Sequence, residues 1–289
     1  MQVFINGLIS GFGIAILAVA FQAVYLPTRV FFLGLAGVYA VVPFLCLGIL
    51  QQTGQWWLAI PTAISIGIGI SLLAEATIHR HLEKRKASNG AHLVASLGAY
   101  IVLVQSTCMI WGDSPKSLRQ GLDCVTRIEG VVVTGAQWLM LCGAALSIFS
   151  FIFFLVRTKA GVRMRALADN PVQFSLYQHS IPAYRFFAFG MAGCLAGFAA
   201  ILTAYDLGFN PHVGLHSFLL AVISVIVGGR STFVGPLLGG ILLGITRSQV
   251  AWHLSASWQE AVSFGLLVIV LIFLPNGLLG TRRRLEAAT

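Results

Sequence analysis

Apolar runs of about 20 residues recur along this chain, and each is long enough, at roughly 1.5 Å per residue, to cross a hydrocarbon core about 30 Å thick. They lie at 3–24, 31–50, 57–78, 91–112, 134–156, 184–206 and 260–276. A soluble domain cannot absorb so much apolar length. Of 289 residues 57% are hydrophobic and 9% charged, too few polar side chains to cover a wetted surface. The sequence therefore predicts an all-α membrane protein, a polytopic bundle of about seven full spanning helices, with 1–289 forming one transmembrane domain. The run from Val3 has no basic stretch before it and no small-residue cleavage signal after it, so it reads as the first membrane helix rather than a removable signal.

Two shorter apolar arms, 214–227 and 233–246, flank the glycine-rich stretch Gly228–Pro236, and each is too short to cross without tilt. Such a pair is either a re-entrant hairpin or two broken helices. Non-helical backbone at membrane depth is tolerated only where protein or a water-filled cavity supplies hydrogen bonds, which puts the break in the interior. Arg230 within it sits either beside half-helix termini that hold a charged group or at a cytoplasmic mouth. Gly240 and Gly244 form a small-xxx-small pair suited to helix packing.

Orientation follows from lysine and arginine, which favour the cytoplasmic side of short loops. The 79–90 loop (Arg80, Lys84, Arg85, Lys86), the 157–185 segment (Arg157, Lys159, Arg163, Arg165, Arg185), Arg29 and the tail (Arg282, Arg283, Arg284) gather on one side. The opposite loop balances Lys116, Arg119 and Arg127 with Asp113, Asp123 and Glu129. This arrangement predicts an external N-terminus and a cytoplasmic C-terminus, and makes the net charge of +9 a topology signal with some attraction to lipid headgroups rather than a nucleic-acid footprint. Trp56, Trp57, Trp252 and Trp258 fall at predicted interfaces, where aromatic anchors occur.

No catalytic constellation is present. The chain lacks a GxxxxGK[ST] phosphate loop, an HExxH pair and a GxSxG turn, so any ATP chemistry belongs to another polypeptide. The five cysteines show no CxxC pair or metal-ligand spacing, and Cys108 and Cys124, flanking one external loop, leave a disulfide open. Glu75 and Arg80, at the inner end of the third helix, are expected to pair with each other or to snorkel. His212, His216, Gln105 and Asn210 either line an external vestibule or are solvated loop groups.

The longest polar interruption, 157–183, contains Gly161–Pro171, which reads as a short helix stopped by Asn170-Pro171. It places Val162, Ala166 and Asp169 near one face and Arg163, Leu167 and Asn170 near another. Such a helix either lies on lipid headgroups or passes force from a cytoplasmic partner to the pore.

The string from Thr158 to Pro171 resembles the cytoplasmic signature of branched-chain amino acid ABC importer permeases, the Liv type of inner-membrane subunit. The resemblance extends through Asn6-Gly7-Leu8 to Tyr25, the Glu75/Arg80 boundary with His81 in place of a usual proline, and Gly208–Gly214 with its Asn210-Pro211 turn. It continues in Gly228–Gly235, in Gly239, Gly240 and Gly244, and in Pro275–Gly280. It implies that Gly161, Arg163, Arg165, Ala166, Leu167, Asp169, Asn170 and Pro171 form the coupling helix that docks on an ATPase subunit. It further implies a complex with two ATPase subunits, a second permease like or unlike this one, and an external solute-binding protein. No cofactor is expected in this chain, ATP being bound by the partner subunits. A translocation path is expected to draw on Gly34, Gly37, Tyr39, Asn210, Gly228, Gly229, Arg230, Ser231 and Thr232.

One departure is concentrated in the second helix, where Phe32–Gly37 replaces the family's polar Asn-Phe-Ala-His-Gly-Glu-like run while Val38-Tyr39 is kept. The solute, an amino acid or related amide by resemblance, is then not fixed by that helix. The rival reading is a secondary transporter or channel without ATPase partners, which calls for intramembrane acidic groups; Glu75, Asp206 and Glu260 all fall at predicted helix ends.

Overall fold

The computed structural model describes residues 1–119, 125–128, 131–176 and 180–280. Cys124, Asp123, Glu129 and the tail arginines lie outside the described residues, so the disulfide question and part of the charge pattern do too. Within those limits the chain is helical throughout, with one two-stranded hairpin. Seven helices are long and apolar enough to cross a membrane.

Helix α1 (Gln2–Thr28) runs through the centre, with Ala15–Val24 buried on every face. It ends beyond Pro27 at Arg29, which takes a left-handed conformation (φ 57°) and returns its N–H to Tyr25 O. Helix α2 (Gly34–Thr53) is the most enclosed span, stopped by Gly54 at φ 65°. Helix α3 (Trp56–Ala74) continues through a π-helical turn, Glu75–His79, into α4 (Arg80–Lys84), so this rod outruns the expected end at residue 78. Helix α5 (Asn89–Trp111) returns from a Ser88 cap, whose hydroxyl accepts from Ala91 N at 3.3 Å.

Strands β1 (Val125–Ile128) and β2 (Val131–Thr134) pair antiparallel, Val125 opposite Thr134. The Gln2 side chain ties the N-terminus to this hairpin by donating to Val132 O and accepting from Val132 N, both at 2.8 Å. Thr134 and Gln137 form a capping box that starts α6 (Gly135–Arg157). Then come α7 (Lys159–Asp169), α8 (Pro171–Leu176), α9 (Ile181–Leu207), α10 (Val213–Gly228), α11 (Gly235–His253) and α12 (Gln259–Phe273).

The apolar arms are thus two helices meeting at a tight break. The second is longer than its hydropathy suggested, since α11 runs past Gly244 to His253. It can do so because its polar residues are used: Arg247 donates to Ser263 Oγ at 3.1 Å and Gln259 Oε1 at 3.2 Å on α12, and Ser248 donates to Val3 O at 2.6 Å. Exposed apolar side chains such as Val102, Ile110, Phe149, Phe153, Ile269 and Ile272 form the lipid-facing belt, and Trp57, Trp252 and Trp258 are exposed at helix ends.

Helices α1 and α11 pack antiparallel over glycine. A methyl at Gly7 would sit 2.8 Å from Ile245 Cα, one at Gly240 2.7 Å from Ala15 Cα, and one at Gly244 would fall on the Gly11 backbone. The packing role expected of Gly240 and Gly244 is what the structure shows. Gly244→Leu is expected to cost the bundle about 1–3 kcal/mol by overpacking. In detergent thermal melts it should unfold several degrees below wild type, whereas Gly98→Leu, at an exposed position with open space around it, should melt with wild type. Equal melting of the two variants would refute the close contact.

Candidate functional site

Thr158 turns the chain between α6 and α7 in a single residue. Its hydroxyl donates to Phe154 O at 2.8 Å and accepts from Gly161 N at 3.0 Å. Gly161 lies so close to the end of α6 that a side chain there would meet the Phe154 and Leu155 backbone. Asn170 ends α7 in an extended conformation, and its Oδ1 accepts from Val172 N and Gln173 N, both at 3.1 Å. Asn-Pro therefore does not simply stop a helix. It hinges α7 into α8, with Pro171 at the first position, where no N–H is needed.

The eight residues expected on the docking helix divide. Gly161 and Leu167, together with Met164 and Ala168, are buried against the chain's own core. Arg163, Ala166 and Asp169 are exposed, beside Val162 at 48%. Arg163 donates to Tyr184 Oη of α9 at 3.2 Å. Arg165 turns inward to a cavity of about 220 Å³ lined also by Leu26, Leu155, Asp169, Ser231 and Thr232. Its Nε and the Ser231 hydroxyl are buried there without a hydrogen-bond partner.

The candidate path residues fall into three places. Gly228, Gly229, Arg230, Ser231 and Thr232 form the α10–α11 break beside α7. The fully buried Gln22 holds this loop, donating to Arg230 O at 3.0 Å and Thr232 O at 2.9 Å. Gly229, at φ 118°, lies under the C-terminal turn, where Leu278 N donates to Val227 O and Leu279 N to Gly228 O. The family-like glycines thus let three backbone segments meet.

Gly34, Gly37 and Tyr39 lie in α2. A methyl at Gly34 would meet the Phe32 ring and one at Gly37 the Leu103 side chain, while the buried Tyr39 reaches Thr203 and Ser217. Asn210 sits at the opposite end from the break, in the turn before α10, where its Oδ1 accepts from His212 N at 3.0 Å. A cleft of about 510 Å³ opens beside that turn, lined by Lys116, Arg119, Asp206 and Asn210 among others.

A buried ionic cluster was not read from the sequence. Glu75 pairs with Arg185 of α9, whose Nε lies 3.0 Å from Glu75 Oε1 and whose Nη1 lies 2.9 Å from Glu83 Oε1. Of the two outcomes expected for Glu75 and Arg80, pairing or snorkelling, the pair does not form: Arg80 points outward, while Glu75 is taken by Arg185, itself 6% exposed. His79 lies between the Phe32 and Phe189 rings, and its Nδ1 is 3.1 Å from His92 Nδ1 of α5. The available signal was the four-residue spacing of Glu75, His79 and Glu83, which lines them up on one helical face. A π-helical turn at that point fits a place where polar groups interrupt a regular ladder.

Residues 3–271 match the family model described as the branched-chain amino acid transport system permease component. The high-affinity branched-chain amino acid transport permease BraD of Pseudomonas aeruginosa is 25% identical over 97% of this chain and 95% of its own length. The LivH permease of Escherichia coli is 25% identical over the same shares. The autoinducer 2 import permease LsrC of Yersinia pseudotuberculosis is 30% identical, but over only 47% of this chain and 40% of its own. Among solved structures, PsaBC from Streptococcus pneumoniae, in complex with Fab, superposes with a TM-score of 0.50 at 12% identity, covering 96% of this chain and 93% of that one, a likeness of fold alone. With the family model spanning nearly its full length, the chain belongs to the permease family of branched-chain amino acid transport systems.

Proposed function

We propose that this permease is the membrane-spanning subunit of an ATP-driven importer, carrying a branched-chain or other amino acid, or a related amide, by alternating access. It works beside a second permease chain, like or unlike itself, in the inner membrane, with its N-terminus outside and C-terminus cytoplasmic. Two ATPase subunits bind and hydrolyse ATP, and an external solute-binding protein delivers solute towards the cleft at Asn210. The observation that carries this reading is α7. Its exposed face of Val162, Arg163, Ala166 and Asp169 is backed by a buried face packed on the chain's own core and anchored by the Thr158 corner.

A helix so held moves as part of the body behind it. Force on its outer face passes directly to α6 through Gly161, to α9 through Arg163 and Tyr184, and to the α10–α11 break across the Arg165 cavity. The residue after Tyr184 is Arg185, so the same turn of α9 also grips α3. ATP-driven closure of the ATPase pair then shifts α3, α6, α9 and the break together, in rigid-body fashion. The rival, an ion-coupled transporter, would need a free intramembrane carboxylate, and Glu75 is instead engaged by Arg185.

Ala166 is small, exposed and central to the docking face. Ala166→Arg is expected to weaken ATPase association by about 2 kcal/mol, or roughly thirtyfold, as loss of a central contact does. The variant should still insert and elute as folded permease, but bring down little ATPase and support little uptake. Undiminished ATP-dependent uptake would overturn the docking assignment.

Arg185→Met leaves Glu75 buried without its partner and is expected to cost about 3–5 kcal/mol of stability. Adding Glu75→Leu should recover most of that stability in detergent melts but not ATP-coupled uptake. If the double variant melts as low as the single, the ion pair is not what holds α3 to α9.

A further inference from the structure

Among the described residues, one group of three metal-ligating side chains converges: Cys108 in the last turn of α5, Asp113 just beyond that helix, and His212 in the turn before α10. Their donor atoms lie within 4.8 Å of one another. His212 Nε2 and Asp113 Oδ1 are 3.1 Å apart. A tetrahedral site with metal–ligand bonds of about 2.0–2.3 Å has ligand–ligand edges of about 3.3–3.8 Å. The imidazole and carboxylate thus stand near the required spacing already, with the thiol sulfur within 4.8 Å of both.

The surroundings favour an ion over a bare histidine–carboxylate pair. Asp113 and His212 are 66% and 57% exposed, so solvent reaches the site and a fourth position is left for water. Cys108 is half-buried against the core, which fixes its backbone. The turn that carries His212 is held by its backbone N–H bond to Asn210 Oδ1, and the Lys116 ammonium is engaged by Trp111 O at 2.9 Å. A thiolate, an imidazole nitrogen and a carboxylate oxygen together suit a borderline-soft divalent cation of the zinc class rather than calcium or magnesium.

We propose that Cys108, Asp113 and His212 form a binding site for a zinc-class divalent cation, which staples the end of α5 to the turn that launches α10. Binding deprotonates the thiol, releasing one proton to solvent, and leaves the imidazole neutral. Gly214, in the first turn of α10, lies in close backbone contact with Ala36 of α2. Occupancy fixes α5, α2 and the start of α10 relative to one another. The binding itself does not depend on what the permease carries.

The test uses the full-length permease in detergent, reduced, titrated with Co²⁺ alone and then with Zn²⁺. One Co²⁺ per chain is expected, with a near-ultraviolet thiolate-to-cobalt band and the intense visible bands of four-coordinate cobalt, both removed by Zn²⁺. Cys108→Ser should abolish the thiolate band, and His212→Gln, a change in an exposed turn, should weaken binding by about tenfold or more. A wild-type permease that shows no thiolate band at saturating Co²⁺, or a band that survives Cys108→Ser, overturns the site.

Discussion

Lipid tails are as apolar as leucine, so burial alone gives two spanning helices little reason to adhere; what holds them is dispersion at short range, which grows as backbones approach. Helices α1 and α11 meet that condition through Gly7, Gly11, Gly240 and Gly244, where almost any side chain would collide with opposing backbone. The consequence reaches beyond the pair. With α11 pressed along its length, α1 becomes the axis of the bundle, and the loop that precedes α11 is carried over Gln22, whose amide satisfies two of that loop's carbonyls. The glycine break is then neither frayed nor free. It is a junction of α1, α10, α11 and the C-terminal turn, each bond of which depends on the spacing that the glycines set.

What was legible in the sequence follows from the physics that sequence records directly. Apolar length predicted the seven spans, small-residue spacing predicted a packing role for Gly240 and Gly244 without naming α1 as the partner, and Asn170-Pro171 marked the end of α7 to within a residue or two. Two errors share one cause. The apolar arm 233–246 stops short of the end of α11, and Arg185 reads as a cytoplasmic-loop cation, because neither hydropathy nor loop charge reports a polar residue's partner. Arg247 meets Gln259 and Ser263, and Arg185 meets Glu75 and Glu83, at separations in sequence that no local pattern reports. The β1–β2 hairpin escaped notice for a similar reason, since Val131–Thr134 merges into the apolar run of α6 and only the Thr134 cap divides them.

Helix α7, proposed to dock an ATPase, has its outward face fixed by its own packing. Resemblance assigns a role to a string of residues, but only half of a short helix can touch a partner. Here Met164, Leu167 and Ala168 bind α7 to its own chain, leaving Val162, Ala166 and Asp169 outward, the grouping that the helical spacing had already suggested. The inward Arg165 Nε and Ser231 hydroxyl lack hydrogen-bond partners in the cavity between α7 and the break. Unsatisfied buried donors raise the free energy of the arrangement that strands them, so this junction has more to gain from rearrangement than a fully bonded one.

The second helix, where the sequence departs from the family's polar run, finds its reason in packing. Phe32 stands against His79 and Phe189, and Leu35, Ala36 and Val38 are fully buried among neighbouring helices. Polar groups at 32–37 would therefore face this chain's own core, where each would need a hydrogen-bond partner. The His79 ring that Phe32 meets edge-on has its Nδ1 3.1 Å from His92 Nδ1. Under the proposed importer role, polar lining for a solute would come from elsewhere: from Tyr39 with Thr203 and Ser217 one turn further along, from the cleft at Asn210, or from the face of a second permease.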